Sequence, residues 1–158
     1  MISSYASLNR IRDFLAQTRI AVAGVSRDPK DFSRLLFREL RARGYDVVPL
    51  NPEAAEIDGV RCYAHVREID PPVSSVLIMT SPAVTGTVVD ECLEAGVKRV
   101  WMFRAVGRGA VTPEAVARCQ ARGVDVIPGE CPMMFLKKTG WFHRLHGMVR
   151  KLTGRYPN

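Results

Sequence analysis

Short apolar runs alternate along this chain with longer amphipathic segments. Five runs carry Val, Ile, Leu or Met at consecutive positions: Arg19 to Gly24, Asp46 to Leu50, Ser75 to Thr80, Arg99 to Phe103 and Val124 to Pro128. A strand that is apolar at successive positions is buried on both faces, which predicts a parallel sheet covered by helices. The segments between fit helices over 31–43, 82–95 and 112–122, each followed by a glycine suited to a left-handed C-terminal cap: Gly44, Gly96 and Gly123. Thr112-Pro113-Glu114 starts the last of these with a capping hydroxyl, a proline at the first helical position and an acid in the first turn. Upstream, Leu8, Ile11, Phe14 and Leu15 recur at helical spacing and predict a leading helix over 8–16. The stretch 51–74 has a different texture. Asn51-Pro52, Asp58-Gly59 and Pro71-Pro72 punctuate it, and its one apolar run, Val60 to Tyr63, is short, so an irregular crossover is expected there. The expected fold class is α/β, a doubly wound parallel five-stranded sheet with helices on both faces.

With 158 residues, 47% of them apolar and 25% charged, the chain is long enough for one domain with a real core and too apolar for disorder. No run approaches the roughly 18 uncharged apolar residues of a spanning helix, and MISSYASLNRIRDF lacks the apolar region of a signal peptide, so a cytoplasmic location without a membrane span is expected. Cys62, Cys92, Cys119 and Cys131 lie 30, 27 and 12 residues apart and form no Cys-x-x-Cys pair, so they read as reduced, mostly buried thiols and not as a metal knuckle.

The formal net charge of +7 suggests a nucleic-acid partner until it is located. Residues 1–136 hold 17 basic and 16 acidic side chains, whereas 137–158 hold six basic ones and no acid. The expected organisation is therefore a nearly neutral domain over 1–136 and a basic segment over 137–158. In that segment Trp141, Phe142, Leu145, Met148, Val149 and Leu152 fall on one helical face. Such a helix can dock on its own domain or a second subunit, lie on an anionic membrane, or touch nucleic acid. Gly140, Gly147 and Gly154 weaken it in isolation and favour docking; nucleic acid is the less favoured partner.

In open α/β sheets ligands bind beyond the carboxyl ends of the strands, where the winding reverses, so the loops there hold the candidate chemistry. After the first strand come Gly24, Val25, Ser26, Arg27 and Lys30, with Arg34 on the next helix. This loop can offer backbone N–H groups, a hydroxyl and positive charge to an anion, or serve as a tight turn in which Gly24 permits close packing. The later glycines of a Gly-x-Gly-x-x-Gly fingerprint are replaced by Ser26 and Pro29. The second strand ends Leu50-Asn51-Pro52 without the carboxylate that holds the free ribose hydroxyls of NAD, which suits a ribose phosphate, as in coenzyme A or NADP. Asn51-Pro52 would also turn the chain whatever the ligand. After the third strand, Thr80-Ser81-Pro82 can present hydroxyls and amides to a pyrophosphate or cap the helix that follows. Arg104 to Gly109, after the fourth strand, is a basic loop able to lie over a phosphate or to remain a solvated surface.

The segments IAVAGVSRDP (20–29), RARGYDVVPLNP (41–52), SSVLIMTSP (74–82), GVKRVWMF (96–103) and EAVARCQARGVDVIPGECP (114–132) together resemble the small stand-alone coenzyme A-binding proteins, whose domain is similar to the nucleotide-binding domain of the succinyl-CoA synthetase alpha subunit. The resemblance covers residues 19–133. It implies a Rossmann-like domain that binds coenzyme A or an acyl-CoA through Gly24, Val25 and Ser26, Asn51 and Pro52, and Thr80, Ser81 and Pro82. The chain departs from that family at Glu53, where lysine is common, which leaves Arg27, Lys30 or Arg34 as the phosphate partner. The stretch from Met133 onward is also longer and more basic than the family pattern.

For catalysis the best candidate is Cys131, with His143 and His146 downstream as activating bases for a thiol or acyl exchange. A cysteine at a strand end is also a small apolar packing residue. His65 has no nameable partner in sequence, and no metal cluster, Gly-x-Ser-x-Gly elbow or Walker loop is present. Binding without turnover is the favoured reading. The alternatives are an NADP-linked or Cys131-dependent enzyme and nucleic-acid binding through the tail.

Overall fold

A computed structural model describes residues 6–136; the basic segment 137–158, for which a docked helix was expected, lies outside the described residues. Helix α1 (Leu8–Leu15) leads into β1 (Arg19–Ala23), α2 (Phe32–Ala42) and β2 (Asp46–Leu50). Two short strands, β3 (Glu56–Ile57) and β4 (Val60–Arg61), and a 3-10 turn at Val66–Glu68 precede β5 (Ser75–Ile78). Then come α3 (Pro82–Glu94), β6 (Arg99–Met102), α4 (Pro113–Ala121) and β7 (Asp125–Pro128).

The five expected strands form one sheet in the order β2-β1-β5-β6-β7, with every neighbouring pair parallel. Because side chains alternate across a strand, each strand feeds two cores. Ile20, Val22, Val47, Leu77, Trp101 and Ile127 pack with Ile11, Phe14, Leu36, Phe37 and Leu40 of α1 and α2. Ala21, Ala23, Val48, Val76, Ile78, Val100 and Met102 face the other way, onto Val89 and Cys92 of α3 and Val116 and Cys119 of α4. The fold is thus Rossmann-like, as the continuous apolar runs require.

Caps end the helices where expected. Asp31 accepts from the Ser33 amide at 2.8 Å, Thr112 accepts from Ala115 at 3.2 Å, and Gly44, Gly96 and Gly123 all have positive φ. Three strands stop short of their expected ends: β1 at Ala23, β5 at Ile78 and β6 at Met102, which leaves Gly24, Thr80 and Phe103 in the loops. At Gly24 the reason is the backbone, since φ +88° leaves the extended region.

The crossover 51–74 contains a hairpin that the sequence reading did not include. Glu56 pairs with Arg61 and Ile57 with Val60 around Asp58-Gly59, both at positive φ (49° and 77°). Two successive positive φ values are what a two-residue turn needs to match strand twist, and Asp-Gly is its strongest short-range signal. His65 also acquires a partner here: Nδ1 lies 2.8 Å from Glu91 Oε1 on α3, while Glu91 Oε2 accepts from the Val66 amide at 3.0 Å.

Trp101 anchors the centre of the α1 side. Fully buried, it donates through Nε1 to the Gly129 carbonyl at 2.8 Å and meets Phe14 edge-to-face at 5.3 Å. No helix among the described residues is long and apolar enough to cross a membrane.

Candidate functional site

α2 covers one face of the sheet and α3 the other, while β1 and β5 are neighbours, so the winding reverses between their carboxyl ends. A ligand crevice belongs there. Gly24 sets its width. A Cβ at this position would stand 3.0 Å from the Met79 carbonyl carbon and the Thr80 nitrogen, and 3.1 Å from Thr80 Cγ2. The loops after β1 and β5 therefore meet at Gly24 and Thr80. Val25 contributes only backbone, because its side chain is fully buried.

The loop after β1 is held by its own polar groups. The Ser26 amide donates to Ser33 Oγ at 2.9 Å, and the Asp28 amide donates to Ser26 Oγ at 3.0 Å. A hydroxyl that accepts keeps its O–H to donate, so Ser26 retains the donor proposed for it. Ser33 in turn is fixed by Asp31, its Oγ donating to Oδ1 at 2.5 Å.

Arg34 has a different place from the one expected of a free cation. It is 7% exposed and donates to the Ser26 and Arg27 carbonyls at 3.2 and 3.1 Å, and its other terminal nitrogen pairs with Asp58. Asp58 is at the tip of the β3–β4 hairpin and also takes Arg38 at 2.7 Å. Hydrogen bonds from Arg38 and Arg34 hold its carboxyl below the ordinary 3.8, at about 2. Arg34 is thus a brace between hairpin and loop, and the cations left at the mouth are Arg27 and Lys30. Arg27 lies 3.3 Å from Glu53 on the turn after β2.

Asn51 joins the two loops by side chain. Its Nδ2 donates to the Val25 carbonyl at 2.9 Å and its Oδ1 accepts from the Glu53 amide at 2.8 Å, with Pro52 exposed between. This amide shapes the turn and the mouth together. Ser81 occupies the N-cap position of α3 with no side-chain cap hydrogen bond, so its exposed hydroxyl is uncommitted by the helix.

Three supporting groups were missed in the sequence reading. Thr85, fully buried, donates to the Ala110 carbonyl at 2.7 Å and so ties the first turn of α3 to the loop after β6. Asp58 and Ser33 carry the brace and the loop; their local signals were the Asp-Gly turn and the Asp31-x-Ser33 cap. In the loop after β6, the Arg104 guanidinium crowds Gly129, where a Cβ would lie 2.9 Å from Arg104 Nη2. A separate cleft of about 830 Å³ opens at the amino ends of β1 and β2, lined by Leu15, Thr18, Tyr45 and Leu136 among others, and none of the ligand loops reaches it.

Cys131 lies in the core beside Trp101, and His143 and His146, expected as its activating bases, lie outside the described residues. Cys131 is 3% exposed, and burial raises its thiol to about 11, with the Met133 and Met134 amides offsetting only part of that. Near neutral pH such a thiol stays protonated. The four cysteines are free and buried, as expected.

Comparison with known proteins gives the crevice a context. Residues 18–137 match the model of the CoA binding domain. The chain is 30% identical over 122 residues to the uncharacterized protein YneT of Bacillus subtilis, covering 77% of this chain and 87% of that one. It is 36% identical over 87 residues to the alpha subunit of ADP-forming acetate–CoA ligase II from Pyrococcus furiosus, covering 54% of this chain and 19% of that subunit. A hypothetical protein from Pyrococcus horikoshii superposes with a TM-score of 0.71 at 29% identity, over 79% of this chain and 86% of that one. The strand order, the reversal between β1 and β5 and the loops at that point belong to the matched segment, and this chain is a member of the CoA-binding domain family.

Proposed function

We propose that this chain binds coenzyme A, or an acyl-CoA, in the crevice between the carboxyl ends of β1 and β5 and does not turn it over. The observation that carries this reading is the close packing of Gly24 on Thr80, which aligns two donor-bearing loops at the reversal point. In this reading the Val25 amide and the Ser26 and Ser81 hydroxyls face the phosphates, while the Gly24 and Ser26 amides, held by the Leu50 carbonyl and Ser33 Oγ, fix the loop that presents them. Thr80 and Pro82 shape the far wall, Arg27 and Lys30 supply charge, and Asn51, Pro52 and Arg34 hold the mouth. Family membership and the matched segment of an acetate–CoA ligase subunit support the ligand class. The protonated, buried Cys131 supports binding over thiol exchange.

The test is a thermal-shift series with coenzyme A, acetyl-CoA, dephospho-CoA, NADP and NAD. A ligand at 100 times its Kd stabilises by about 2.7 kcal/mol, which for a chain of this size is a rise of roughly 5–10 °C. The expected result is a rise with coenzyme A and acetyl-CoA, with the acetyl-CoA recovered intact. A rise with NADP and none with coenzyme A would overturn the ligand; consumption of acetyl-CoA would overturn the absence of turnover.

A further inference from the structure

Of the three cations that follow β1, Arg34 is occupied by two loop carbonyls and Asp58, and Lys30 makes no ion pair among the described residues. Arg27 at the mouth is met by the Glu53 carboxylate at 3.3 Å, across the gap between the first loop and the turn after β2. The two backbones that present this pair are fixed. Arg34 holds the Arg27 carbonyl, Asn51 holds the Glu53 amide, and the same Asn51 reaches the Val25 carbonyl. The side chains themselves are 66% and 73% exposed, so the pair contributes little to folding. Its effect falls on the mouth of the crevice, where it cancels the charge of a cation that an anionic ligand would use.

We infer that Glu53 is a specificity-determining residue of the ligand site, the resident counter-ion of Arg27 that the ligand's phosphate monoester has to displace. A ribose phosphate monoester is close to dianionic at neutral pH, and so competes for a guanidinium better than a singly charged carboxylate does. A nucleotide lacking the monoester has nothing to exchange for the Arg27–Glu53 contact, and leaves the pair in place. Glu53 thereby lowers affinity for coenzyme A while making the remaining affinity depend on the ribose phosphate. The inference rests on the coenzyme A reading above.

The experiment is calorimetric titration of the full chain with coenzyme A and with dephospho-CoA, at low ionic strength, for wild type, Glu53→Gln, Arg27→Gln and the double variant. The expected result is that Glu53→Gln tightens coenzyme A binding about threefold to fivefold, the range of an exposed ion pair. Dephospho-CoA affinity should be unchanged, and the gain should vanish when Arg27→Gln is present. Both side chains are exposed, so all four proteins are expected to fold, and thermal melts check this. An equal gain with dephospho-CoA, a gain that survives in the Arg27→Gln background, or no gain at all overturns the role assigned to Glu53. Absence of binding to either ligand by all four proteins overturns the coenzyme A reading, and this inference falls with it.

Discussion

Replacing Gly24 by alanine tests whether the contact between the two ligand loops sets the crevice. Two costs are combined at this position. The backbone has φ +88°, outside the range that residues with a Cβ favour, which costs about 1–2 kcal/mol. The new methyl would also stand 3.0 Å from two backbone atoms, at Met79 and Thr80, which cannot rotate away as a side-chain tip can. Overpacking of that kind costs typically 1–3 kcal/mol, for a total near 2–5 kcal/mol. Gly44 separates the two contributions. Its φ is +91°, yet nothing lies within 4 Å of where its Cβ would be, so Gly44→Ala incurs the backbone cost alone. Urea denaturation of both variants should show Gly24→Ala less stable than Gly44→Ala by about 1–3 kcal/mol. Titration with coenzyme A should show weakened binding for Gly24→Ala and unchanged binding for Gly44→Ala. Equal destabilisation by the two substitutions, with ligand affinity intact in both, would refute the argument that this contact builds the site.

Asp58→Asn should destabilise the protein at pH 7 and weaken coenzyme A binding, because Arg34 loses its anchor. The folded carboxyl is held at about 2 against an ordinary 3.8, so its contribution is complete above pH 3.8 and disappears as pH falls toward 2. The stability gap between wild type and variant, followed by denaturation across that range, should therefore narrow with acidification. Thr85→Val removes the donor to the Ala110 carbonyl and leaves a buried acceptor unpaired, at a cost of about 1–3 kcal/mol. Hydrogen exchange should then quicken over residues 103–110 more than in β1. For the thiols, burial raises Cys131 and Cys119 to about 11 and pushes Cys92 and Cys62 upward as well. Alkylation at pH 7.5 followed by intact mass should find the native protein almost unmodified and four adducts after unfolding, and rapid labelling of native Cys131 would contradict its placement.

The elements of this fold were legible because their signals are local. Val, Ile and Leu at successive positions in Arg19–Ala23 or Ser75–Ile78 record burial on both faces wherever the strand ends up. Glycines after Ala42, Glu94 and Ala121 record chain reversals that lie within a few residues of their cause. The candidate loops were legible for the same reason, as the ends of those strands. The Asp58-Gly59 hairpin was equally local, and was passed over because its strands are only two residues each. What folding alone decided was which polar groups remain for a ligand. Arg34, Arg27 and Lys30 look equivalent along the chain. One is buried by Asp58, which arrives 24 residues later, and one is met by Glu53 from the next strand's turn. His65 finds Glu91 at a separation of 26 residues, and the Cys131 thiol is pushed up by burial in the core cluster it shares with Trp101, Met133 and Leu136. A side chain's charge is written in its residue type, but its partners and its solvent are set by distance in space, and hydrogen bonds and desolvation act only over a few ångströms.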